Sequence, residues 1–272
     1  MTTMPTQAQP SVSAQAVVFH RPKAGSSATE WEDGAGFDLG DPAAGRPARL
    51  MVVDGATEAY DAIRWVGQLV DSFLGREPQD GRPALTAAAM DRWFGVMQQR
   101  WLERAPAVFG SIFEERKFTQ DGSFATLLGC ELTDHDWTAV ALGDAVLFHT
   151  RGDRLVTQFP PMAASDFGLD PDGVFTQPSQ RMRMRARLGF GHGELAPGDR
   201  LYLASDALAA WIVTEAARDP AVWGRLAPFD HPHVFARFVD TERAARRLKN
   251  DDVTLLRVRL SSRPAAALLV CS

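Results

Sequence analysis

The sequence predicts an α+β domain with antiparallel strands at its centre and helices outside. Three observations predict it. Short apolar runs recur along the chain, and turn signals such as "TDHD", "GD" and "RGD" join several of them directly, which describes an antiparallel meander rather than βαβ units. Two long amphipathic stretches sit together in the first half. A second pair of helical stretches lies near the end, before a closing strand.

Taken in order, "VVFH" (17–20), "GAGFDL" (34–39) and "RLMVV" (49–53) read as strands. Ala59, Ala62, Ile63, Val66, Val70, Phe73 and Leu74 then recur at helical spacing and give one apolar face. Pro78 and Pro83, with Gly75 and Gly81, break that helix. A second helix is expected over about Ala84 to Arg104, with Met90, Trp93, Phe94, Met97 and Trp101 on its stripe. Both stripes read as core. Strands follow at 124–132, 137–142, 145–150 and 154–160. "PPMAASDFGLDPDGVFTQPSQ" interrupts them and reads as a surface flap within about 160–195. "RLYLAS" (200–205) leads into the helical run "DALAAWIVTEAARD", a further helix covers about Val234 to Leu248, and "NDDVTLLRVRL" closes the chain as a strand.

The 272 residues are 45% hydrophobic and 23% charged, an ordinary globular mixture. Residues 1–15 read as a polar disordered tail without the features of a signal peptide, and 16–272 as a single domain. No apolar run reaches the ~18–20 residues that span a bilayer. Cys130 and Cys271 are too few for a disulfide framework or a CxxC metal site, which suits a reducing cytoplasm. A net charge of −5 argues against nucleic acid as a partner.

One pattern carries chemistry. A carboxylate stands at the edge of an apolar run in "EWEDGAGF", "LMVVDGA", "VALGDAVL", "LYLASDAL" and "LKNDDVTLL". Any one of these Asp residues is most simply a turn former or helix N-cap, and Asp206 in particular could simply cap the helix after it. Five together are another matter, because a fold that gathers strand ends would gather their charges, and such a cluster needs protons or cations to neutralise it. All-oxygen ligands select hard cations such as Mg²⁺ or Mn²⁺. Two of these ~3.5–4 Å apart activate water for in-line attack on phosphorus. Gly55 behind Asp54 lets the backbone turn and approach an ion closely.

In this order and spacing, "TEWEDGAG", "VVDGATEA", "LGDAVLFHTRGDRLV", "GDRLYLASDALAAWI" and "NDDVTLL" resemble the motifs of the metal-dependent protein phosphatases of type 2C in their bacterial form, over roughly residues 20–260. The resemblance implies a four-layer α-β-β-α sandwich, two central antiparallel sheets flanked by helix pairs. It implies that Asp54 bridges two metals while the Gly55 carbonyl faces one of them, and that Asp206 and Asp251 are further ligands. Glu32 and Asp33 match the pair that holds metals directly or through water, with Asp33 and Asp54 the catalytic residues. Asp144 matches a ligand of a third, weaker metal. The implied cofactors are two Mg²⁺ or Mn²⁺ ions with room for a third. The implied reaction is hydrolysis of phosphoserine or phosphothreonine in a phosphorylated protein by a metal-bridging hydroxide, without a phosphoenzyme.

The chain departs from the family pattern at several points. Ala28 stands where the family grips phosphate with arginine, a bidentate fork that alanine does not replace, so Arg21 or Lys23 is the substitute candidate for substrate binding. Trp31 replaces an asparagine, "ATEA" replaces a glycine-rich turn, Ala207 replaces a glycine, and Asp252 stands in an asparagine slot, which leaves the ligand register one residue wide. These departures keep open a second function, a pseudophosphatase that binds a phosphorylated or acidic partner without turnover, and a third, hydrolysis of a small phosphate ester. "RMRMRARL" (181–188) read as a strand would align four arginines on one face, either solvated or facing an acidic partner. "HPH" (231–233) reads as a helix-entry loop and "GFGHG" as a turn.

Overall fold

A computed structural model of the chain describes residues 12–41, 44–56, 59–77, 81–106, 109–168 and 171–262. The start of the polar tail (1–11), positions 57–58 of "ATEA", Pro78, Cys271 and the side chain of Ala28 lie outside the described residues. The strands are β1 (Val12–Arg21), β2 (Gly34–Asp38), β3 (Ala48–Val53), β4 (Phe124–Ala125), β5 (Leu127–Leu132), β6 (Asp136–Leu142), β7 (Val146–Arg151), β8 (Arg154–Phe159), β9 (Val174–Phe175), β10 (Gly189–Glu194), β11 (Asp199–Ala204) and β12 (Val253–Ser262). The helices are α1 (Ala62–Leu74), α2 (Ala87–Glu103), α3 (Ile112–Arg116), α4 (Arg181–Arg187), α5 (Asp206–Arg218), α6 (Val222–Leu226) and α7 (Pro232–Ala244).

Two five-stranded antiparallel sheets form among the described residues, in the orders β1-β12-β11-β7-β8 and β10-β6-β5-β3-β2. Alternation along the strands divides each sheet between two cores. Met51 and Val53 of β3 pack with Trp65, Leu69, Phe73, Trp93, Phe94 and Met97 of α1 and α2. Leu50 and Val52 face the other way, onto Leu147, Leu201, Leu203, Leu256 and Val258 of the second sheet. That sheet's outer face, with Phe148, Tyr202 and Leu255, packs on Trp211, Trp223 and Phe235 of α5, α6 and α7.

Five expectations are corrected. Residues 12–15, expected in the disordered tail, begin strand β1 and pair with β12 from Val12 opposite Ser262. "RMRMRAR" is helix α4. Met and Arg are strong helix formers, and the helix buries Met184 in the α1–α2 core while Arg181 pairs with Asp91 of α2. "GFGHG" is the edge strand β10 rather than a turn. Its glycines let the backbone cross two rings: a Cβ on Gly191 would stand 2.6 Å from Phe159 and one on Gly193 2.6 Å from Trp137. The run 124–132 is interrupted at Thr126, whose N–H donates to the Asp54 carbonyl at 2.8 Å. Helix α1 starts at Ala62, because the chain before it is held in turns, with the Tyr60 N–H donating to the Gly122 carbonyl.

Candidate metal centre

Strand register brings the acidic motifs to one edge. Gly34 pairs with Val53, so Asp33 before β2 lies opposite Asp54 after β3. Ala204 pairs with Val146, so Asp206 after β11 lies opposite Asp144 before β7. Ala204 also pairs with Leu255, which carries Asp251 and Asp252 to the same edge at the start of β12. Each strand is held by its buried apolar residues, and each carboxylate stands where a strand leaves the core.

Hydrogen bonds fasten these ends to one another. The Ser205 N–H donates to the Thr254 carbonyl, and the Thr254 N–H donates to Ser205 Oγ. Thr254 Oγ1 donates to Asp33 Oδ2 at 2.7 Å and accepts from the Trp31 indole at 3.2 Å. Asp252 accepts the Lys23 N–H at 2.8 Å with one oxygen and the Glu32 N–H at 2.7 Å with the other. Arg243 of α7 donates to the Pro22 and Asp251 carbonyls. Gly55 is pressed against the Glu32 backbone, since a Cβ there would lie 2.5 Å from the Glu32 carbonyl oxygen.

The charges that result are strained. Burial, followed by the charge of Asp33 and then of Asp206, holds the Asp54 carboxyl well above the ordinary carboxylate range, and Asp54 and Asp206 are in hydrogen-bond contact. Asp33, only 4% exposed, is pushed up to about 7 by burial, with Asp252 and Asp206 adding to the shift and the Thr254 and Ser205 hydrogen bonds opposing it. Asp144, 5% exposed, is pushed up to about 6 by burial and by Asp206. Its Oδ1 is buried without a hydrogen-bond partner. A second carboxylate oxygen in contact with a first holds only if a proton or a cation is shared.

A hard divalent cation fits this donor set: the groups are oxygens, mutually repelling, and one of them is orphaned. Among the described residues, however, no three carboxylate, imidazole or thiol groups are drawn together as tightly as a bound ion would hold them. Lys249 stands within the cluster, its Nζ 2.7 Å from Asp251 and 3.4 Å from Asp206. Of the two cations expected to serve phosphate, Lys23 Nζ contacts Glu32 at 2.9 Å, beside the cluster. Arg21 is turned away to Asp240 of α7, at 2.9 Å. Sequence reasoning missed Lys249, Ser205 and Thr254; the signals present were a cation two residues before Asp251 and hydroxyls flanking the acidic pairs.

Two consequences are measurable. With metal removed, Asp33 and Asp144 titrate above their unfolded values of 3.8, so the folded chain binds more protons than the unfolded one up to about pH 7, and stability falls as pH rises. His20, whose pKa burial lowers, opposes this below about pH 6.5. Thermal unfolding of chelator-treated protein therefore gives a lower Tm at about pH 8 than at about pH 6.5, and saturating Mn²⁺ removes the difference; a Tm that rises over this interval contradicts the clustering. Second, Asp252→Ala leaves two amides without their acceptors and costs about 2–4 kcal/mol, read in a chemical denaturation curve.

No family model matches the sequence, and no curated protein matches it. Solved structures do. The chain is similar to the Mycobacterium tuberculosis serine/threonine phosphatase PstP, at 16% identity and a TM-score of 0.60, over 91% of this chain and 99% of that one. A structure of the catalytic domain of serine/threonine protein phosphatase PstP in complex with two manganese ions gives 16% identity and a TM-score of 0.56, over 92% and 99%. A serine/threonine phosphatase from Staphylococcus aureus gives 13% and 0.59, over 94% and 99%. At such identities the likeness is one of fold, and the chain shares the fold of these serine/threonine phosphatases.

Proposed function

We propose that the chain is a Mg²⁺- or Mn²⁺-dependent phosphatase of phosphoserine and phosphothreonine in proteins, with its core layered helix–sheet–sheet–helix around the acidic edge. The observation that carries the reading is the convergence of Asp33, Asp54, Asp144, Asp206 and Asp251 on one edge, with Asp54 and Asp206 in contact. In this reading Asp54, Asp206 and Asp251 hold two ions, together with the Gly55 carbonyl. Glu32 and Asp33 support them, and Asp144 offers its unpartnered oxygen to a third.

When bound, the ions supply Lewis acidity to the phosphoryl group and lower the pKa of the attacking water. The residues do the rest. Thr254 and Ser205 orient Asp33, whose carboxyl is pushed up by burial to about 7 in the metal-free chain, the range in which a carboxyl group serves as acid or base at neutral pH. The β3 strand, buried on both faces, fixes Asp54 rigidly at its end. Lys23, beside Glu32, is the nearer of the two expected cations to incoming phosphate.

The test is release of phosphate from a phosphothreonine peptide with Mn²⁺ and with chelator. Turnover only with Mn²⁺ supports the proposal, and none with either overturns it. The second reading, a pseudophosphatase binding a phosphorylated or acidic partner, is favoured by Ala28 in place of the phosphate-gripping arginine and by the exposed arginines of α4. Arg183 and Arg187 pair with Asp172, whose carbonyl packs at Gly143 beside Asp144, so α4 borders the acidic edge. Phosphopeptide binding without turnover selects this second reading.

A further inference from the structure

We propose that Lys249 is a built-in counter-cation that occupies the place of a divalent ion between Asp206 and Asp251, and that an incoming metal must displace it. The inference rests on the metal-centre reading and adds a competitor to it. Lys249 Nζ contacts both carboxylates at once, 2.7 Å from Asp251 and 3.4 Å from Asp206, and these are two groups that one ion would draw together.

The residue type fits the role. The chain carries 26 arginines and only three lysines, Lys23, Lys117 and Lys249, and two of those three stand at the acidic edge. An ammonium is a compact point charge that substitutes for a spherical cation between carboxylates, which a planar guanidinium does less well. Its position is enforced from both sides. Leu248 is buried in the α5–α7 core, and Arg247 grips Glu242 through two hydrogen bonds. On the other side the Asn250 side chain accepts the Ala24 N–H, and the Asp251 carbonyl accepts from Arg243. The backbone is thus pinned while the side chain is 57% exposed, so that displacing the ammonium requires movement of the side chain alone. A cavity of about 250 Å³ lined by Phe167, Asp206, Trp211, Arg247 and Lys249 offers the displaced ammonium a place beside the centre.

Two consequences follow from one charge. Without metal, Lys249 relieves the repulsion among the carboxylates and stabilises the empty centre. With metal present it opposes binding, so the chain releases its ions at divalent concentrations where a centre without the lysine would keep them.

The experiment compares wild type, Lys249→Met and Lys249→Arg by calorimetric titration of chelator-treated protein with Mn²⁺ and by thermal unfolding without metal. Methionine keeps most of the length of the side chain and removes its charge. Lys249→Met is expected to bind Mn²⁺ about tenfold more tightly than wild type, the scale of one unit charge acting on a divalent ion near the surface. Its metal-free form is expected to unfold at a lower temperature, with the gap closing at saturating Mn²⁺. Lys249→Arg, which keeps the charge but fits less well between the carboxylates, should bind Mn²⁺ with an affinity between those of wild type and Lys249→Met. Equal or weaker Mn²⁺ binding by Lys249→Met overturns the competition while leaving the metal centre in place. Absence of Mn²⁺ binding by wild type and variants alike overturns the metal centre, and this inference with it.

Discussion

Asp54→Asn removes Mn²⁺-dependent phosphate release by at least about a hundredfold and at the same time raises the Tm of the metal-free protein. The two effects have one cause. Asp54 is buried beside Asp33, Asp206 and Asp144, and burial together with their charge makes its ionised form costly. An amide there is uncharged, and its N–H₂ can donate to the neighbouring Asp206 carboxylate in place of the shared proton. Relief of about 1–2 kcal/mol raises Tm by roughly 2–6 °C for a chain of this size. In the proposed centre the same change removes a carboxylate that would hold metal. Stability gained while activity is lost is the signature of a carboxylate kept for binding rather than folding. A purely structural Asp54 would show the reverse, a fall in Tm. Calorimetry and a phosphate-release assay on the same preparation check both halves.

Gly55→Ala damages the same site by a different route. Its backbone is not in the left-handed region, so the requirement for glycine is one of space. The added methyl would lie 2.5 Å from the Glu32 carbonyl oxygen and 3.0 Å from Val66 of α1. The oxygen belongs to a segment pinned by Asp252 through the Lys23 and Glu32 amides, and it cannot withdraw cheaply. A cost of about 2–4 kcal/mol is expected in denaturant unfolding, at the upper end for overpacking by one methyl. Because Glu32 would be pushed from Asp54, Mn²⁺ affinity falls as well, and saturating Mn²⁺ does not restore the lost stability in full. Wild-type stability with wild-type affinity would show that the close approach has no function.

Much of this was readable in the residues. "RLMVVDG" and "RLYLASD" display their role locally, as apolar strands with a carboxylate at the exit, and the two amphipathic helices after β3 were visible from their spacing. What local pattern does not encode is register across sheets. That Asp144 faces Asp206 depends on β7 lying beside β11, a pairing of segments far apart in the chain. The Asp251 and Asp252 pair shows the same limit. Composition offers two equal carboxylates, and only the fold reveals that Asp252 has both oxygens on backbone amides while Asp251 faces Lys249. Alternation misled at "RMRMRAR", where helix propensity and the burial of Met184 outweighed a two-residue period. In "GFGHG" the glycines marked a close pass over aromatic rings rather than a turn.

The most direct test of the metal centre is anomalous diffraction from a crystal of the protein soaked in Mn²⁺. The account predicts two peaks flanking Asp54, one of them also contacting Asp206 and Asp251, with Lys249 Nζ moved away from both. Absence of peaks at Asp54 while Lys249 keeps its contacts would contradict it.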